Sequence, residues 1–153
     1  MARAKMTVDR ALVSNDKPVT VTRVLWDPKA GKGGKVDTKR TDVAILVLDK
    51  PIHLASYPLF ATRGVRDGSP AMSIARTDHG LASYEIRVRS IGGGYYRSAH
   101  FAKPGDSGGP IYTGSGSHRR IIAVVSGGND EVETLARVDV VSDLIEKTIL
   151  ETQ

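Results

Sequence analysis

Gly105-Asp106-Ser107-Gly108-Gly109-Pro110 sets a serine hydroxyl in a loop of glycines. At average residue usage such a fixed six-residue string arises by chance in a chain of this length on the order of once in 10^5 sequences. A serine hydroxyl is a poor nucleophile unless one group takes its proton and another stabilises the oxyanion it creates. Gly105 has no Cβ, so the backbone there can turn its N–H groups inward. The amides of Gly105 and Ser107 can then converge on one point, which is an oxyanion hole. Gly108 and Gly109 let a second backbone approach closely, and Pro110 ends the loop at the start of a strand, Ile111-Tyr112.

The elements that must hold this loop are strands. Sixteen glycines and seven prolines are spread along the 153 residues, and the apolar runs between them are short. Val19 to Leu25 is rich in β-branched residues and stops at Asp27-Pro28. Asp42-Val43-Ala44-Ile45-Leu46-Val47-Leu48 is apolar at nearly every position and reads as a strand buried on both faces. Asp67-Gly68 marks a turn before Ala71-Met72-Ser73-Ile74. Tyr84, Ile86, Val88 and Ser90 alternate with Glu85, Arg87, Arg89 and Ile91, and Gly92-Gly93-Gly94 breaks that strand. Ile121 to Val125 is a further strand, closed by Ser126-Gly127-Gly128. Only the end reads as a helix, with Val141, Leu144, Ile145 and Ile149 on one face and Asp139 or Ser142 near its start.

Composition excludes several classes. The chain is 40% hydrophobic and 25% charged, long enough for one core or two small ones. It has no cysteine, hence no disulfide framework and no thiolate metal site. No spaced ligand set points to a metal, and no motif points to a cofactor. No apolar run approaches the ~18 residues of a membrane span. The net charge of +5 identifies no partner by itself. Met1 to Met6 carries positive charge without an apolar stretch behind it, so it is not a secretory signal.

With the serine loop and the Asp42 strand in view, the chain resembles the chymotrypsin/trypsin family of serine endopeptidases. Asp42 to Leu48 with Pro51-Ile52 looks like the strand that opens with the family's triad aspartate. Asp67 to Ile74 is similar to the crossing into the second barrel. Ser126-Gly127-Gly128 sits where the family keeps the strand that pairs with substrate backbone, and Val138 to Ile149 resembles its terminal strand and helix. The order and spacing agree from about Val19 to Ile149. The resemblance implies an all-β fold of two antiparallel six-stranded barrels, here with the first incomplete, plus a C-terminal helix. Residues 1–62 would be what remains of the first barrel, and 63–153 the second barrel with the helix. Ser107 would be the nucleophile, Asp42 the residue that orients the base, and Gly105 and Ser107 the oxyanion hole. Phe101, Ser126, Gly127 and Gly128 would contact a peptide or protein substrate. The short Gly92 to Phe101 stretch and the lack of cysteine resemble the compact bacterial members.

One part of the triad is missing. The family order is His, Asp, Ser, yet His53, His79, His100 and His118 all follow Asp42. The histidine is expected roughly forty to fifty residues before Asp42, upstream of Met1. Lys5-Met6-Thr7-Val8 resembles the first strand after it. The base is then supplied by an upstream segment or by a partner chain that completes the barrel. Alternatively the chain is an inactive protease-like binding or regulatory module. Compartment follows the same fork. The chain as written defaults to the cytoplasm, and a signal-bearing N-terminus would make it secreted or periplasmic.

Other readings carry less. Gly105 to Gly109 also fits the Gly-x-Ser-x-Gly elbow of α/β-hydrolases, but no acid and then histidine follow in the required order. Lys29 to Lys35 fails the phosphate-loop pattern because Val36 follows Lys35. With Lys39 and Arg40 it forms a basic loop that no aromatic residue interleaves, which argues against nucleic acid. Phe101 falls where trypsin-like enzymes carry the pocket-floor aspartate, so that signature is absent. Glu131 and Glu133 could offer a charge to a basic substrate side chain, although a solvated acidic turn is the expected reading. His100 reads as a structural or pocket-wall residue, His118-Arg119-Arg120 as a hairpin tip, and Trp26 and Tyr95-Tyr96 as packing residues.

Overall fold

Strands and a single C-terminal helix make up the regular structure of the computed structural model, which describes residues 7–8, 19–25, 42–53, 56–78 and 80–152. Trp26, Asp27-Pro28, the basic loop and His79 lie outside the described residues. The chain divides into two units. One comprises Met1–Pro28 with Ala44–Tyr57, the other Lys29–Val43 with Pro58–Gln153.

The first unit is a three-stranded antiparallel sheet in the order β1-β2-β3, from Thr7–Val8, Val19–Leu25 and Ile45–Leu48. The β-branched run Val19 to Leu25 forms its strand as expected. The apolar run after Asp42 does so only from Ile45, and all four residues of β3 are half-buried rather than buried. The reason is position: β3 is an edge strand of the described sheet, and an edge keeps part of its surface open. Thr22 Oγ1 donates to the Val47 carbonyl at 3.1 Å across the β2–β3 pair.

The second unit carries β4 (Leu59–Phe60), β5 (Ser69–Thr77), β6 (Gly80–Gly92), β7 (Tyr95–Ala99), β8 (Pro110–Thr113), β9 (Arg120–Gly128) and β10 (Val132–Arg137). Strands β5, β6, β7, β10, β9 and β8 pair in that order, and β8 pairs back to β5, closing a six-stranded antiparallel barrel. Strand β4 adds to β9 in parallel. The alternation read along β6 holds as far as Arg89, with Ile86 and Val88 buried and Glu85, Arg87 and Arg89 exposed, and it ends at Ser90, which is exposed where the register shifts. Gly92-Gly93-Gly94 supplies the β6–β7 turn, all three with positive φ (81°, 61° and 86°), as a right-twisted hairpin requires. Ile86, Val88, Tyr96, Ile111, Ile122, Val125 and Leu135 fill the barrel, each burial stabilising by about 1.5–3 kcal/mol.

Two expectations shift. Ser126-Gly127-Gly128 does not close the preceding strand but continues it as the end of β9. The C-terminal helix α1 (Ser142–Thr152) follows a 3-10 turn, Asp139–Val141. Its buried residues are Ser142 and Thr148, with Ile145 half-buried and Leu144 and Ile149 exposed. The packed face is thus the i, i+3, i+6 row from Ser142, one position away from the apolar stripe read from the sequence. Thr148 satisfies its hydroxyl on the Leu144 carbonyl at 2.7 Å.

Ser73 is the buried polar side chain without a hydrogen-bond partner among the described residues, at 0% exposure on β5. An unsatisfied buried hydroxyl costs more than its absence. The Ser73→Ala variant is expected to unfold at higher denaturant, a gain of about 1 kcal/mol. An unfolding midpoint at or below the parent's contradicts this.

A second network pins the entry to the barrel. The Val65 N–H donates to the Tyr96 hydroxyl at 2.8 Å. The Arg137 guanidinium lies 5.0 Å from the Tyr96 ring centroid and pairs with Asp139 through two bonds, 2.9 and 2.6 Å. Asp139 holds the Arg137 guanidinium in its charged form. Burial pushes the Tyr96 and Tyr112 hydroxyls above the usual tyrosine range, opposed at Tyr96 by the Val65 bond and the Arg137 charge. A tyrosine held protonated in the folded state stabilises fully below its unfolded pKa, and that contribution is lost as pH rises through the folded one. The contribution of these two hydroxyls is therefore expected to stay level to about pH 10 and then to fall. Tyr96→Phe should fall less steeply above pH 10 in denaturant titrations, and an unchanged slope would contradict the assignment.

Candidate active site

The loop from Lys103 to Gly109 is built by its own backbone and by Asp106. The Asp106 N–H donates to the Lys103 carbonyl at 3.0 Å, and the Lys103 N–H donates to Asp106 Oδ2 at 2.9 Å. This reciprocal pair explains why Asp106 is buried while the serine beside it is exposed. The Gly109 N–H then returns to the Asp106 carbonyl at 2.9 Å. A Cβ on Gly109 would sit 2.8 Å from that same carbonyl oxygen, too close for any side chain without backbone movement. Gly105 adopts φ +98°, a conformation L side chains rarely take, with open space beside it. Among the described residues, the N–H groups of Gly105 and Ser107 donate to no backbone oxygen. Both are therefore left without a backbone acceptor.

The loop is anchored to one strand. The Gly108 N–H donates to the Val125 carbonyl at 2.7 Å, and the Val125 N–H donates to the Gly109 carbonyl at 2.9 Å. The next residue on β9 is Ser126, whose Oγ donates to Asp42 Oδ2 at 2.8 Å. A hydroxyl-to-carboxylate bond is charge-assisted and directional, so it fixes one carboxylate oxygen of Asp42. Ser107, Ser126 and Asp42 are therefore linked through two hydrogen bonds and two peptide steps, Ser107 to Gly108 and Val125 to Ser126. The Ser126–Asp42 contact was not anticipated: Ser126 was singled out for its backbone, and nothing in the order of residues shows that its hydroxyl meets an aspartate 84 positions away.

Phe101 stacks on Tyr84 with ring centroids 6.4 Å apart and packs against the barrel core. Its neighbour is held by a residue read differently from the sequence. Glu133, expected in a solvated turn, is 3% exposed on β10. Its Oε1 pairs with His100 Nδ1 at 2.6 Å and accepts the Ala102 N–H at 3.2 Å. The solvated reading holds for Asn129 to Glu131, where Asn129 Oδ1 accepts the N–H groups of Glu131 and Val132. It fails for Glu133 because that residue stands opposite Gly128 in the β9–β10 ladder and shares the inner face with Leu135. The alternation with Leu135 was the signal that could have placed it.

His100 is thus a pocket-wall residue engaged by Glu133, and His118 lies in the 3-10 turn Gly116–His118 at the β8–β9 hairpin, as expected. Neither meets Asp42. Among the described residues no three His, Asp or Glu gather as a metal site, and no helix is long and apolar enough to cross a membrane.

Comparison with known proteins places this architecture. Two hundred and forty-five chains of known structure match it. One is kallikrein-related peptidase 10, with a TM-score of 0.67 over 88% of this chain and 74% of that one, at 15% identity. No family profile matches the sequence, and no curated protein does. A closed six-stranded barrel, a further sheet and a C-terminal helix match a trypsin-like serine protease fold. At that identity the likeness is one of fold.

Proposed function

We propose that this chain is the greater part of a serine endopeptidase that hydrolyses peptide bonds through an acyl-enzyme on Ser107. The observation that carries the reading is the Ser126–Asp42 hydrogen bond, on the strand to which the Ser107 loop is anchored. In this reading Ser107 Oγ attacks the substrate carbonyl carbon while a histidine takes its proton. The N–H groups of Gly105 and Ser107 receive the oxyanion. The histidine returns the proton to the departing amine, and water then releases the acyl group by the same steps. Asp42, steadied by Ser126, orients the histidine and stabilises its charged form. Phe101 and Ser126-Gly127-Gly128 border the substrate.

In this reading the histidine lies upstream of Met1 or on a partner, because the family order places it before Asp42 and all four histidines here follow Asp42. The test is a fluorophosphonate probe applied to the complete gene product. Ser107 is expected to label, and Ser107→Ala to abolish labelling. A complete product whose Ser107 stays unlabelled would sink the endopeptidase reading and favour a non-catalytic peptide-binding module.

A further inference from the structure

The outer face of the barrel holds an open cleft of about 540 Å³ that extends from the substrate strand Ser126-Gly127-Gly128 of the reading above. Ile91, Tyr95, Arg97, Gly127, Val132 and Thr134 line it. Among the described residues, Arg97 is the sole charged one in its lining. The cleft exists because the β6–β7 connection is only the glycine turn, so no longer loop covers this face.

A single row of residues crosses four strands here. Arg89 is the direct partner of Arg97, Arg97 of Thr134, and Thr134 of Gly127. Like charges placed directly opposite across a ladder are destabilising. No carboxylate pairs with Arg89 or Arg97 among the described residues, and both are exposed. At the other end of the row, a Cβ on Gly127 would meet nothing within 4 Å. Two inter-strand steps, about 10 Å, separate Gly127 from Arg97. A peptide paired with the open edge of β9 lies one step further, about 15 Å from Arg97, a span that extended arginine and glutamate side chains together just bridge.

We infer that Arg97, supported by Arg89, is a specificity residue that binds an acidic side chain of the peptide substrate. The acidic residue lies a short way along the peptide from the bond at Ser107. The carboxylate relieves the arginine–arginine repulsion and takes a planar, two-point contact that a lysine would not offer. This rests on the proposed endopeptidase reading for its occupant, a peptide on β9.

The experiment uses the complete gene product carrying Ser107→Ala, immobilised and offered octapeptides with Glu, Gln or Lys at one scanned position. Captured peptides are counted by mass spectrometry. Glu peptides should exceed their Gln counterparts about tenfold at one or two adjacent positions. Arg97→Gln should reduce that preference to parity, and Arg97→Glu should turn it toward Lys. Equal capture of Glu and Gln peptides overturns the proposal, as does a preference that survives Arg97→Gln. Failure of the two readings is separable. A Glu preference that follows Arg97, with no fluorophosphonate labelling of the parent Ser107, keeps the cleft and discards the peptidase. Labelling without charge preference does the reverse.

Discussion

Asp42→Asn is expected to lower peptide turnover by about 10^4-fold while leaving thermal unfolding near the parent's. The side chain is exposed, so replacing one oxygen by an amide removes little burial. What changes is the hydrogen-bonding sense. Ser126 Oγ now donates to Asp42 Oδ2, and the carboxylate's remaining acceptor capacity suits the N–H of an incoming imidazole. An amide can present its nitrogen there, which would favour the wrong tautomer of the base. Ser126→Ala separates positioning from charge. It removes a bond to an ionised group, worth about 1.5–3 kcal/mol, so turnover should fall on the order of ten- to a hundredfold. The charge stays, and Ser107 should still label with fluorophosphonate, only more slowly. Both measurements belong on the complete gene product, by steady-state kinetics with a chromogenic peptide. An Asp42→Asn protein within a factor of ten of the parent would remove Asp42 from the catalytic machinery.

Much of this arrangement was legible in the residues because local chemistry dictated it. The Gly105 to Pro110 loop needs glycine at positions whose backbone takes positive φ or touches another chain segment, and Gly105 and Gly109 meet those demands. The alternation in β6 and the β-branched run of β2 reflect one-sided burial and pleat packing, which a linear pattern records directly. What stayed hidden depends on partners far along the chain. The start of β3 is set by where β2 stops pairing, not by the apolar run itself. The face that α1 packs shows no excess of apolar residues over its neighbours, so the pattern did not show that Ser142, read only as a residue near the helix start, and Thr148 are its buried positions. Glu133 reads as solvent-facing because charged residues are seldom buried unless paired, and its two partners lie 31 and 33 positions upstream.

That buried carboxylate carries the largest expected effect on stability. Glu133→Ala should lower the unfolding free energy by about 3 kcal/mol, equivalent to roughly 6–12 °C in midpoint for a domain of this size. Two donors lose their acceptor at once: the Ala102 N–H, part-buried in the pocket wall, and the 42%-exposed His100 ring. The ring can turn to water, so most of the cost belongs to the amide and to the space left in the wall. Glu133→Gln keeps a carbonyl oxygen for Ala102 and fills that space, so it should recover more than half of the loss. The same contact predicts the outcome at Gly128. A Cβ there would lie 2.5 Å from Glu133 Oε2, with the Val132 carbonyl in the way as well. Gly128→Ala must therefore displace the carboxylate or the strand, and it should destabilise by a similar amount in the presence of Glu133. In the Glu133→Ala background the side-chain clash is gone and only the backbone contact remains. The double variant should then lose less than the sum of the two single losses. Strictly additive losses in a thermal double-mutant cycle would show that Glu133 does not set the spacing between β9 and β10 at this wall.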